Sequence, residues 1–153
     1  MSNWIRRLEE GVTAGALATV PMSGVMLVAQ RVGLMGEQPP QKITNAALDA
    51  ADITPTHRGR QLAALVAHVG FGASVGGVFS LLRPSRPTLG RAALEGAVFG
   101  TAVWAASYAG VIPKLGIMPS PEHDRPGRPS SMVVAHWVFG AVLGTIVAIR
   151  RSR

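Results

Sequence analysis

The chain predicts an all-α, polytopic membrane protein: a four-transmembrane-helix bundle built from two tandem two-helix repeats. Three observations predict it. Four apolar runs are each long enough to cross a bilayer, which takes about 20 residues. Arginines gather at the ends of those runs rather than on one surface. And one pattern, A-H-x-x-F-G-A-x-x-G, occurs at Ala67–Gly76 and again at Ala135–Gly144, sixty-eight residues apart.

Composition supports the same class. In 153 residues, 48% are apolar but only 5% aromatic, and glycine numbers 18. A core of such small residues fills poorly in water, whereas close-packed membrane helices use small residues at their contacts. Without cysteine, thiolate chemistry and disulfides are excluded. The net charge of +7 is dispersed in short clusters, whereas nucleic-acid binding needs it gathered on one face. No nucleic-acid partner is expected; the lipid bilayer is.

The first crossing is expected at about 11–34, after a short amphipathic start, Trp4–Glu10, and with Pro21 as a kink. It is longer than the about 7–15 apolar residues of a signal peptide, so it reads as a mature helix. A polar stretch follows. Pro39-Pro40 should break any helix, and Lys42–Ala51 should form a short amphipathic helix at the membrane surface, ended by Thr54-Pro55-Thr56. The second crossing spans about 61–82 and stops at Arg83-Pro84. A tight basic connector leads to the third, about 91–112, closed by Pro113. A proline-rich loop, 118–130, precedes the fourth, about 131–149, which ends in Arg150-Arg151.

With four crossings both termini share one side. The termini and the 83–91 connector, with Glu95 just beyond it, carry eight Lys/Arg and three acids in little length. The two longer loops carry seven and five. The denser basic side is expected in the cytoplasm.

The first and third crossings also correspond. Glu10-Gly11-Val12-Thr13-Ala14-Gly15 aligns with Glu95-Gly96-Ala97-Val98-Phe99-Gly100. After a two-residue slip, Arg31-Val32-Gly33-Leu34-Met35 aligns with Lys114-Leu115-Gly116-Ile117-Met118. Repeat 1 therefore covers about 10–83 and repeat 2 about 95–151, related by an axis along the membrane normal. Each crossing contains G-x-x-x-G: Gly11/Gly15, Gly72/Gly76, Gly96/Gly100 and Gly140/Gly144. Glycines four apart share one helix face and let two backbones approach closely.

His68 precedes Gly72 by four residues and Gly76 by eight, so all three share a helix face; His136, Gly140 and Gly144 repeat the arrangement. Both histidines are expected to face other helices, at roughly 10 Å depth from the 1.5 Å rise per residue. Met26, Trp104, Ser107 and Tyr108 fall at similar depth, with Met22 and Ser23 deeper. These residues outline a candidate ligand pocket of His68, His136, Tyr108, Ser107, Trp104 and Met26. The simplest use of each histidine is a hydrogen bond from one ring N–H to a backbone carbonyl, Ser107 or Tyr108. Two sharper uses remain open. Both rings could ligate haem b, or copper with the thioethers of Met22 and Met26, although no carboxylate is expected at that depth. Alternatively His68 and His136, with Glu10 and Glu95, could pass protons or ions. His57 and His123 fall in loops. No nucleophile elbow, HExxH, P-loop or dinucleotide fingerprint occurs, so no catalytic residues are assigned.

Ala18-Thr19-Val20-Pro21-Met22-Ser23, Pro39-Pro40 with Lys42-Ile43-Thr44, and the repeated A-H-x-x-F-G-A-x-x-G resemble small bacterial inner-membrane proteins of the YagU-like group and related four-helix families of unknown function. The resemblance spans about 11–149. It implies a bacterial inner-membrane location and transfers no catalytic residues. The expected activity is non-enzymatic: packing with itself or another membrane protein, or holding a small ligand.

Overall fold

The computed structural model describes residues 2–83 and 88–152. Every regular element among them is helical. Helix α1 is Asn3–Arg31, α2 Pro39–Ala50, α3 His57–Leu82, α4 Leu89–Lys114 and α5 Arg128–Ser152. All but α2 are long and apolar enough to cross a membrane. The basic connector expected between α3 and α4 lies largely outside the described residues. The start of α1, the end of α3 and the end of α5 come together at one end of the bundle, the terminal end, where Arg151 reaches Glu10 and Arg83. The longer connections occupy the other, the loop end.

Several boundaries differ from expectation, each for a local reason. Trp4–Glu10 is the first part of α1 rather than a separate segment. The helix also runs on through Pro21. It stops at Arg31, not Leu34, because Gly33 takes a left-handed φ of +81°. Gly33 N–H then donates to the Gln30 carbonyl and Leu34 N–H to that of Ala29. That is a Schellman ending, which satisfies carbonyls the helix would leave bare. Helix α4 ends the same way: Gly116 has φ +69°, Gly116 N–H donates to Pro113 and Ile117 N–H to Ile112. The shared [RK]-x-G-x-M is therefore a helix stop whose methionine tucks inward; Met35 and Met118 are both buried.

Pro39-Pro40 begins α2 instead of breaking a helix. A proline in the first turn loses no hydrogen bond, since those N–H groups have no intrahelical acceptor. Thr56 caps α3 by accepting from Gly59 N–H at 3.2 Å. Pro113 does not close α4 either; the helix reaches Lys114. Directly before it, Ser107–Val111 winds as a π turn. The proline ring crowds the carbonyl four residues back, and the widened turn falls there.

Helix α1 packs against α3 and α5, and α5 against α4, while α3 and α4 make few contacts. The first and last of these packings are set by glycine. A methyl group on Gly15 would collide with the Gly72 carbonyl, and one on Gly11 or Gly76 with the other's carbonyl oxygen. Between α4 and α5, Gly96 and Gly140 stand in the same mutual relation, while Gly100 abuts the His136 carbonyl and Gly144 that of Ala92. Bare backbones in contact gain dispersion and Cα–H···O attraction that side chains would prevent.

At the terminal end, polar groups complete the closure. The Arg151 side chain reaches Glu10 at 3.2 Å, the Ser80 carbonyl at 2.8 Å and the Arg83 carbonyl. Ser80 Oγ donates to the Arg7 carbonyl at 2.6 Å. Arg83 pairs with Glu95. Phe79 and Phe99 meet there with ring centroids 5.1 Å apart, so α3 and α4 do touch at this end.

Leucine at Gly96 or Gly15 should force the paired backbones apart and cost at least the about 1–3 kcal/mol typical of overpacking. Leucine at Gly24, where an added Cβ meets nothing within 4 Å, should be tolerated. Thermal unfolding of the detergent-solubilised variants would show it, as large losses at Gly96 and Gly15 against little change at Gly24.

Candidate functional site

The loop half of the bundle holds a cavity of about 290 Å³. Five helices line it. Helix α1 contributes Thr19, Met22 and Met26; α2 roofs it with Pro39, Pro40, Ile43 and Thr44. Helix α3 supplies His68, Phe71 and Val75, α4 Val103, Ser107, Tyr108 and Ile112, and α5 Met132, His136 and Phe139. No Asp, Glu, Lys or Arg is among the lining residues. Where α3 and α4 diverge the cavity opens sideways: Phe71 lines it yet is 48% exposed, and Ala67 is exposed too.

The sequence-derived candidates divide. His68, His136, Tyr108, Ser107, Met22 and Met26 all line the cavity. Trp104 does not; its ring packs beside Tyr108, centroids 6.1 Å apart, and its indole nitrogen is buried without a partner. The histidines bond neither Ser107 nor Tyr108. His136 Nδ1 lies 2.7 Å from the Met132 carbonyl. A carbonyl only accepts, so Nδ1 carries the proton and Nε2 keeps a bare lone pair. His68 Nε2 is buried and has no partner in the protein.

Three of the four lining hydroxyls, all but that of Thr44, are committed within the protein. Thr19 Oγ1 donates to the Ala16 carbonyl at 2.7 Å and Ser107 Oγ to that of Val103 at 2.6 Å. Such back-bonding satisfies a helix hydroxyl where no water competes. Tyr108 Oη donates to Asp124 Oδ2 at 2.6 Å. His136 therefore offers an occupant an acceptor lone pair, while His68, whose tautomer no protein partner fixes, offers either an acceptor or an N–H, within an apolar shell.

Asp124 falls in the stretch 118–130, expected as a proline-rich loop, yet it is buried behind Tyr108, outside the cavity lining. Asp124 and Arg128 form an ion pair at 2.6 Å with side chains only 2% and 7% exposed. Arg128 Nε also donates to the Met35 carbonyl at 2.8 Å, and Arg125 to that of Gly33 at 2.9 Å. The network ties the end of α1 to the start of α5 and fixes the far side of Tyr108. One signal was available: Arg128-Pro129 places a proline where helices start, and Asp124 stands four residues ahead of Arg128. Helix α2 is held over the cavity by Arg60, which pairs with Asp49 at 2.9 Å.

Neutralising the buried carboxylate leaves Arg128 without its counter-charge, so Asp124→Asn should cost about 3–5 kcal/mol. Tyr108→Phe removes one hydrogen bond to a carboxylate that keeps Arg128, and should cost about 1.5–3 kcal/mol. Denaturation of both variants should give that order. The reverse order would mean that Tyr108, not the ion pair, holds the loop end.

Among the described residues no three His, Asp or Glu come together as a metal-binding group. No curated protein and no solved structure matches the chain. A family described as of unknown function, DUF6789, matches residues 5–153. That is nearly the whole chain, and the protein belongs to this family.

Proposed function

We propose that this is a non-enzymatic membrane protein that binds a small hydrophobic molecule entering from the bilayer. The observation that carries the reading is the cavity lined by all five helices, apolar and free of charged side chains. A site of this size sits at the lower end of the about 300–1,000 Å³ of small-molecule pockets. The two helix pairs are held shut by backbone contact, while the α3–α4 side is not, so a ligand can enter without unfolding either pair. The glycine close packing and the arginine–glutamate pairs block the terminal end, which argues against a continuous path for ions through Glu10 and Glu95.

The haem and copper readings fit less well. Haem b carries two propionates, and no Lys or Arg lines the cavity to meet them. A copper ion would find His68, His136, Met22 and Met26 as donors but no anionic side chain, and an uncompensated charge in an apolar site is costly. A neutral occupant avoids both penalties.

The finer setting belongs to the same proposal: a bacterial inner membrane, termini in the cytoplasm, and kinship with the YagU-like group through the shared motifs. A duplicated origin is supported by a second set of equivalences. Arg83 and Arg151, spaced like the two histidines, each pair with a glutamate that precedes a glycine pair, Glu95 and Glu10 respectively. Self-association or a membrane partner would use the lipid-facing surface and leaves the cavity reading unchanged.

Native mass spectrometry from micelles tests the cavity with butylbenzene as probe. The wild-type chain should carry one butylbenzene, and Val103→Trp, which fills the cavity, should lose it. Equal binding by both, or by neither, would remove the proposal.

A further inference from the structure

Resting on that reading, we infer that the ligand is a neutral amphiphile with a hydroxyl-bearing ring as its head, of the phenol or quinol class. Its tail leaves between α3 and α4. The shape comes first. A cavity of about 150 Å³ can hold benzene, so about 290 Å³ accommodates a substituted ring with the beginning of a chain. A longer tail can leave through the sideways opening beside Phe71 and Ala67, which leads to lipid.

The head group follows from the hydrogen-bond inventory. Thr19, Ser107, Tyr108 and His136 all spend their donor hydrogens on protein acceptors. His136 Nε2 is left as a bare acceptor, and His68 Nε2 has no protein partner. A buried polar atom without a partner forfeits free energy that a matching ligand group restores. A ligand that only accepts, such as an ether, cannot satisfy His136. One that donates as an ammonium brings a charge which no carboxylate in the lining offsets. A neutral hydroxyl meets both conditions. His136 and His68 stand on different helices, so a ring carrying two hydroxyls could engage both walls.

The test compares three probes of one skeleton: 4-butylphenol, 4-butylanisole and butylbenzene. Affinities for the micellar protein are referred to each probe's partition into empty micelles. The phenol should bind about tenfold more tightly than butylbenzene, the scale of one buried hydrogen bond, and more tightly than the anisole, which has no hydrogen to give His136 Nε2. His136→Phe should erase the phenol's advantage while butylbenzene still binds. Should that variant not fold, the wild-type comparison of phenol with anisole decides alone. Equal affinity for phenol and anisole, with butylbenzene bound, overturns the head-group inference and leaves the cavity reading intact. Failure of all three probes to bind overturns both.

Discussion

The fold depends on glycine against a carbonyl. Where Gly15 lies on Gly72 and Gly96 on Gly140, nothing stands between two backbones. In water, burial of larger side chains would hold helices together; in lipid that drive is absent, because the tails are as apolar as leucine. Contact distance decides instead, and only glycine permits the shortest. The two glycine-packed pairs, α1 with α3 and α4 with α5, then become semi-rigid units joined through α1 and α5.

That arrangement fixes where the molecule is closed and where it is not. At the terminal end Arg151 ties α5 to α1 and α3, and Arg83 reaches α4 through Glu95. Toward the loop end the glycines give way to Met22, Met26, Phe139 and the histidines, whose bulk spreads the helices. The charged Asp124–Arg128 pair closes the top without entering the cavity. In the pocket between the two ends, the partnerless Nε2 of His68 and the free lone pair of His136 Nε2 point to an occupant.

Much of this was legible because it is local. A four-residue glycine spacing and a histidine on the same face require only the helical period, and four long apolar runs require only counting. Features that depend on chain reversal were harder to see. Pro39-Pro40 looks identical as a breaker and as a first turn, and only the position of α2 separates the two. The [RK]-x-G-x-M motif was visible as a repeated string, yet its meaning lies in left-handed backbone at Gly33 and Gly116. Asp124 looked like one more loop acid because its burial depends on Tyr108, sixteen residues earlier, and on an arginine that also holds Met35 from the far side of the chain. Trp104 shares the depth of the cavity but not its face, a distinction that the π turn in α4 obscures.

Helices α3 and α4 are joined at the terminal end and parted at the loop half. The chain lacks cysteine, so spin-label pairs can be introduced cleanly at exposed sites. Labels on Ala67 and Ala106 report the parted half, and labels on Val78 and Val98 the joined end. In bilayers the Ala67–Ala106 pair should show the longer and broader distance distribution, narrowing when a ligand occupies the cavity. Equally short, narrow distributions for both pairs would mean that the bundle is closed along its whole length, and would contradict the account.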